Sequence, residues 1–366
     1  MKKLFTILLA VLLVFGLTAC NNGGGNEPET VDDKHLENLS IAFVPSKPAD
    51  AILEAAEPLK QMLIDKLAEK GYTVDNVDIS VGTDFATVGE GMISGTIDIG
   101  FLNSSTYVLY QPDGVELLLI ALRTGVGDAN GRIIMPEEGI TPWNEGITTD
   151  SGLANGYSGL AFVNIATEKG KELYDKTVAG TLTWEDLDSA SWETSSVTSG
   201  SGYIYPSVWL NNTFGEGAGN EKRTIANLSK VVTDRSYSDM MASLLTGGCD
   251  VFVGYADVRK DAQSQENFLA AYADEVAAGT YENVYDIIKV IAVSDFIMND
   301  CIAVTNEEIN PKMTAELKTA LQESFMEIIE TDEGKAAVKP YSHIGYALGD
   351  DSEYDSTRAA AALFAE

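Results

Sequence analysis

Two turns in the sequence concentrate hydroxyl groups and glycine in a way that suits a tetrahedral anion: Asn103-Ser104-Ser105-Thr106-Tyr107 and Thr198-Ser199-Gly200-Ser201-Gly202-Tyr203. Each stands between a strand-like run and a helix-like run. The first N–H groups of a helix lack internal acceptors and lie at the positive end of its dipole, so serine and threonine hydroxyls beside them can complete a cradle for phosphate-like oxygens. Gly200 and Gly202 would let a ligand approach the backbone closely. The same residues also form ordinary helix N-caps, so both readings stand at this level. Of the basic residues, Arg235 and Lys47 are nearest by position, and each also reads as a solvated surface charge. Asp250 and Asp300 fall at strand starts, where they could bond a protonated ligand oxygen or a ligand amine, or hold a turn. Tyr157, Tyr203, Tyr237 and Tyr255 could close over a small ligand or simply pack.

Other chemistries lack material. With His35 and His343 as the two histidines and Cys20, Cys249 and Cys301 as the three cysteines, a His/Cys metal site is not expected, and no cofactor motif occurs. Nucleophile-elbow and P-loop patterns are missing, so catalysis is not expected; a carboxylate-only surface hydrolase stays open as an alternative, because 56 acids form many pairs by chance. The formal net charge of −32 argues against nucleic-acid partners. It does not exclude a small anion. Diffuse charge is screened over about 8 Å in physiological salt, whereas buried donors are not. Cys249 and Cys301 could pair in an exported protein, but both lie in strand-like runs and are read as buried thiols.

The positioning elements alternate between strand and helix patterns from Leu39 onward, as in α/β lobes with mainly parallel sheets, and a chain of 366 residues suits two lobes. Strands are expected at Leu39–Val44, Val77–Val81, Ile97–Phe101 and Leu117–Leu122. Leu59, Leu63 and Leu67 mark a helix opened by Pro58 and ended at Gly71, and Phe85–Ile93 a second one closed by Gly95. The stretch Thr124–Gly156 has no sustained period and reads as loops or an insertion. The second lobe is expected to carry strands at Gly159–Val163, near Glu193–Val197 and at Val251–Tyr255, with helices after Ser201 and over Asp239–Leu245. Ile287–Val293 and Cys301–Val304 are further strands, followed by a helix over Met313–Ile329.

Ahead of the folded body, Lys2 and Lys3 precede an apolar run from Leu4 to Leu17, the pattern of an export signal. Its end, Leu17-Thr18-Ala19-Cys20, resembles the lipobox of bacterial lipoproteins, which implies lipidation of Cys20 and residence at the outer face of the cell membrane. An ordinary secretory signal is the alternative. Residues 21–38 are polar and glycine-rich and read as a flexible tether of about 20 to 25 Å mean span.

Taken in order, further motifs resemble the phosphate/phosphite/phosphonate-binding family of ABC-transporter substrate-binding proteins. These are Ile41-Ala42-Phe43-Val44-Pro45 with Pro58-Leu59, Gly95-Thr96-Ile97-Asp98-Ile99-Gly100-Phe101 before the first turn, and Gly156-Tyr157-Ser158-Gly159 at the second-lobe entry. Trp184-Glu185-Asp186-Leu187, the Thr198–Gly202 loop with Pro206, Gly247-Gly248-Cys249-Asp250-Val251 and Ile297-Met298-Asn299-Asp300 continue the likeness. The resemblance implies a two-lobed periplasmic-binding-protein-like (type II) α/β fold with two crossover hinge strands, lobe 1 being 39–156 with 296–366 and lobe 2 being 157–295. It implies a small oxyanion (phosphonate, phosphite or phosphate) held in the interlobe cleft by Ser104, Ser105, Thr106 and Tyr107 and by Ser199, Gly200, Ser201, Gly202 and Tyr203, with Asp250 and Tyr255 at the rim. A permease with its ATPase and, through the lipid, the membrane are the implied partners of a monomer. Phe85, and Ser236-Tyr237-Ser238-Asp239, stand where family members often carry a tyrosine and a histidine, so the oxyanion's identity is open. A sulfonate or a thiamine-precursor pyrimidine is the alternative for the same fold.

Overall fold

The computed structural model describes residues 34–45 and 48–364; the leader, Cys20, most of the tether and Lys47 lie outside them. In chain order the strands are β1 His35–Leu36, β2 Leu39–Phe43, β3 Thr73–Val74, β4 Val77–Val81, β5 Ile99–Leu102, β6 Val115–Gly127, β7 Thr149–Ala154, β8 Gly156–Asn164, β9 Trp192–Glu193, β10 Val231–Val232, β11 Val251–Tyr255, β12 Ile288–Met298, β13 Cys301–Thr305 and β14 Gly345–Ala347. The helices are α1 Ala49–Ala56, α2 Leu59–Glu69, α3 Phe85–Ile93, α4 Ser104–Tyr110, α5 Thr141–Asn144, α6 Glu168–Val178, α7 Trp184–Ser189, α8 Tyr205–Phe214, α9 Tyr237–Thr246, α10 Ala262–Ala271, α11 Ala273–Ala277, α12 Ala315–Ile329, α13 Asp332–Ala337 and α14 Asp355–Phe364.

Two sheets organise the chain. The first runs β14-β6-β13-β5-β2-β4, with β7 paired to β6, and the second runs β10-β9-β11-β8-β12. Their local causes are legible. Leu59, Leu63 and Leu67 of α2 share one face at i, i+4, i+8 and are fully buried, each contributing about 1.5 to 3 kcal/mol of burial. Gly71 and Gly95 end helices at φ 85° and 74°, a left-handed backbone that glycine adopts without a Cβ clash.

Both sheets are mixed, which refines the expected mainly parallel pattern. β2 is parallel to β4 and β5, and β9 to β10 and β11, but β13 and β6 run antiparallel to their neighbours and β8 is antiparallel to both β11 and β12. The strands that connect the two sheets, β6, β8, β12 and β13, all pair antiparallel to their neighbours. The first crossing passes from β6 through β7 into β8, and the second from β12 into β13. Asn299 ties them: its backbone N–H donates to Asn155 O (2.8 Å), and its amide donates to Ala121 O (3.1 Å) and Ala154 O (2.9 Å).

The stretch expected to be loops or an insertion carries regular structure at both ends and a docked segment between. β6 runs on to Gly127 and is covered by β7. The segment between them docks on the second lobe, with Ile134 and Trp143 in that lobe's core beside Leu160 and Phe162. Asn144 exchanges two hydrogen bonds with Val290 (2.8 and 2.9 Å), and Thr148 Oγ1 donates to Asp257 (2.9 Å). Behind them, the fully buried Arg259 pairs with Asp257 and donates to Trp143 O (2.9 Å). Cys249 and Cys301 are free, buried thiols in the cores of different lobes; burial, then the Glu193 carboxylate, pushes Cys249 up to about 12.

Candidate functional site

Two cavities draw their walls from both lobes. The larger, ≈ 1060 Å³, draws Ser199, Ser201, Tyr237 and Tyr255 from the second lobe and Lys335, Lys339, Ser342 and His343 from the first, with Arg123, Tyr157, Ser158 and Asn299 along the crossings. The smaller, ≈ 750 Å³, is walled by Phe85, Ser105, Thr106 and Tyr110 of the first lobe, Val197, Thr198, Tyr203 and Tyr205 of the second, and Thr357, Ala360 and Phe364 of α14.

Residues of both hydroxyl turns meet in the smaller cavity, but Ser199 and Ser201 of the second turn face the larger one, so the expected cradle is split between the two. In the first turn, Asn103 Oδ1 accepts from Thr106 N–H (3.1 Å) and acts as the N-cap of α4. Ser104 is buried and lines neither cavity. Tyr107 is committed to the core, its hydroxyl donating to Asp351 (2.5 Å) and its ring edge-on to Tyr354 at 4.8 Å. Burial, with the Asp351 carboxylate next, pushes that phenol far above the ordinary range. Asn103, Ser105 and Thr106 reach a cavity, and it is the smaller one.

The second turn is divided. Val197, Thr198 and Tyr203 face the smaller cavity, Ser199 and Ser201 the larger. A π-helical turn, Gly200–Ile204, is capped by Ser199 Oγ, which accepts from Gly202 N–H (3.1 Å). Tyr237 Oη lies 3.0 Å from Ser199 Oγ and 3.3 Å from Ser201 Oγ, so α9 delivers a third hydroxyl to the same spot. Gly202 is required by packing: a Cβ there would sit 2.6 Å from Ser195 Cβ and 2.9 Å from Tyr237 Oη. At Gly200 the nearest atoms to a Cβ are 3.8 Å and beyond, so the approach is open. Tyr157, pushed up to about 12 by burial and then by Tyr237, stays a protonated donor at neutral pH. Tyr255 stacks edge-on against Tyr237 at 4.9 Å and bonds Asp261.

Asp250 is a turn residue and not part of the rim. It accepts from Ser191 N–H and Oγ (both 2.8 Å), and it lies about 17 Å along the strand from Tyr255 at ~3.3 Å per residue. Arg235 is drawn to Glu193 at 3.5 Å. Asp300 has a positioning role: it takes Arg123 Nη2 at 2.6 Å and His343 Nε2 at 3.3 Å. Burial would raise this carboxyl, but the His343 bond and the Arg123 charge hold it below the usual carboxylate range. Burial lowers the His343 imidazole below its ordinary value despite Asp300. The ring is therefore neutral, with Nε2–H given to Asp300 and Nδ1 left to accept from Tyr346 Oη at 3.2 Å.

The cavity's charge stands out against the chain's. The protein holds 56 acids, yet no aspartate or glutamate lines the larger cavity, while Arg123, Lys335 and Lys339 do. Among the described residues, every other lysine and arginine has an ion pair, hydrogen bond or ring contact. Lys335 and Lys339 have none, and both face this space. The sequence reading missed all three cations. Lys335 and Lys339 look like surface lysines of a helical segment, and only their lack of partners in so acidic a chain sets them apart.

The sequence model of a family described as the periplasmic substrate-binding protein of phosphonate ABC transporters matches residues 41–354. The phosphate-import protein PhnD of Mycolicibacterium smegmatis is 23% identical over 361 residues, covering 98% of this chain and 89% of its own. Two solved structures share the fold. The Mycoplasma hyorhinis protein Mh-p37 superposes with a TM-score of 0.56 at 12% identity over 89% of this chain and 98% of its own. XAC2383 from Xanthomonas citri, bound to ATP, gives 0.54 at 12% identity over 89% and 97%.

Proposed function

The chain belongs to the phosphonate-binding family of periplasmic ABC-transporter substrate-binding proteins, and on that premise we propose that it captures a small phosphorus oxyanion in the larger interlobe cavity. One observation carries this reading: a chain of 56 acids keeps carboxylates out of that cavity's wall and turns toward it the two cations that are unpartnered among the described residues. Lys335, Lys339 and Arg123 supply charge from the first lobe and its crossing, and Ser199, Ser201, Tyr157 and Tyr237 supply neutral donors from the second. Hydrogen bonds to charged groups each contribute about 1.5 to 3 kcal/mol. An anion bridging both walls binds the closed arrangement better than the open one, so it shifts the population toward closure, which a permease can read.

In this reading, residues 39–156 and 296–366 form one lobe and 157–295 the other, with the docked segment around Trp143 carried by the second. A lipid on Cys20 tethers the protein to the outer face of the membrane, and the ligand passes to a permease driven by an ATPase. Calorimetric titration with phosphate, phosphite, methylphosphonate and sulfate tests the ligand class. Saturable binding of a phosphorus oxyanion, lost in Lys335→Ala/Lys339→Ala, is expected. Binding of a neutral pyrimidine by a protein that ignores all four anions would overturn it. Metabolic labelling with a palmitate analogue, abolished by Cys20→Ala, is the expected sign of the anchor.

A further inference from the structure

The larger cavity has more room than its anion uses. At ~30 Å³ per water, a phosphorus oxyanion with one methyl group displaces on the order of 100 Å³, against a cavity of ≈ 1060 Å³. The remainder has a definite chemistry. β6 runs along the wall from Arg123 to Val126, about 10 Å at ~3.3 Å per residue, and leads from the cation to an apolar surface. There Ile134 N–H donates to Val126 O (3.1 Å), and Ile133, Ile134 and Trp143 complete the wall.

This surface is held rigidly. Trp143 O accepts from the buried Arg259 (2.9 Å), and its neighbour Asn144 is bonded twice to Val290. Trp143 is 1% exposed, yet its indole N–H has no acceptor, and Ser158 Oγ, in a residue 2% exposed, is equally without a partner. Both residues line the cavity. A buried donor without an acceptor is costly, and two in one wall point to acceptors supplied by a ligand.

We infer, resting on the oxyanion reading above, that the ligand is a phosphonate carrying an aromatic or heteroaromatic group with a hydrogen-bond acceptor. Its phosphonate meets Arg123, Lys335 and Lys339, and its ring lies against Ile133, Ile134 and Trp143.

The test is calorimetry on the purified mature chain with methylphosphonate, benzylphosphonate and the three pyridylmethylphosphonate isomers. Benzylphosphonate is expected to bind at least tenfold tighter than methylphosphonate, and one pyridyl isomer severalfold tighter again. Trp143→Phe, which keeps a ring and removes the N–H, is expected to abolish the pyridyl gain while leaving methylphosphonate within twofold. Ile133→Ser, at a half-buried wall position, is expected to cut the benzyl advantage at least threefold and serves if the tryptophan variant fails to fold. Methylphosphonate binding as tightly as the aromatic ligands, or binding of phosphate or phosphite with none of the five, overturns this inference and leaves the oxyanion reading standing; no binding by any of the five or by phosphate or phosphite overturns both.

Discussion

The two interlobe cavities lie close together and share the loop 197–203, but they differ in kind. The larger has three cations, neutral donors and no carboxylate in its wall; the smaller has no charged side chain at all and is closed on one flank by α14. Hydroxyl-rich turns reach both, so hydroxyls do not distinguish them. Charge left unpaired does. In a protein this acidic, a lysine without a partner gives up an available ion pair. Two such lysines facing one space say more about a ligand than any capped turn.

The largest effect should come from removing those cations. Lys335→Ala/Lys339→Ala is expected to weaken oxyanion binding by about 3 to 6 kcal/mol if each makes one charged bond, measured by calorimetry, whereas Ser105→Ala/Thr106→Ala in the smaller cavity should leave the affinity within twofold. Equal losses in both pairs would erase the distinction. Next, Ser199→Ala/Ser201→Ala should weaken binding by about 1 to 2 kcal/mol, because Tyr237 remains as a donor at the same spot. Unlike a purely ligand-facing change, it should also lower apo stability by ~1 kcal/mol through loss of the Ser199 cap, read by urea denaturation.

Acid sharpens the same contrast. Both His343 and Asp300 have folded pKa values below their ordinary ones, so their contributions are present above the unfolded values and are lost as pH falls. Stability should decline first below about pH 6.5, as His343 must take up a proton on unfolding, and again below about pH 4 as Asp300 does. His343→Gln should flatten the first decline in a melting-temperature series; an unchanged slope would assign it elsewhere. The smallest effect is expected at α14. Thr357→Val removes the bond between Tyr205 Oη and Thr357 Oγ1 (2.9 Å) beside the smaller cavity and should cost about 0.5 to 1.5 kcal/mol of stability, with oxyanion affinity unaltered.

Much of the fold was legible because local signals agreed with tertiary demand. The i, i+4 leucines of α2, the alternation Val77-Ile79-Val81 in β4 and the helix-ending glycines at 71 and 95 all take the roles their local patterns predict. The stretch after Thr124 was not, because its anchors are long-range: Asn144 needs Val290, and Trp143 needs Arg259. At the candidate site, the turn and its neighbours point to Ser199, Ser201, Tyr157, Tyr237 and Tyr255, which line the larger cavity. Ser104 and Tyr107 could not be excluded, since a cap, a core tyrosine and a cradle share one composition. Arg123 looks like the end of a strand until Asp300 and His343 are seen to aim it.

Asn299 joins the two connecting strands through a single carboxamide, donating to a carbonyl on either side of the first crossing while sitting at the end of the second. The two connections are thus coupled at one knuckle instead of being two independent straps, and any sideways shear between the halves would have to tear that amide loose. In the proposed closure, the lysines on one side would meet the same tyrosines on the other each time, so a cargo would see one register of contacts and never a sliding pair of surfaces.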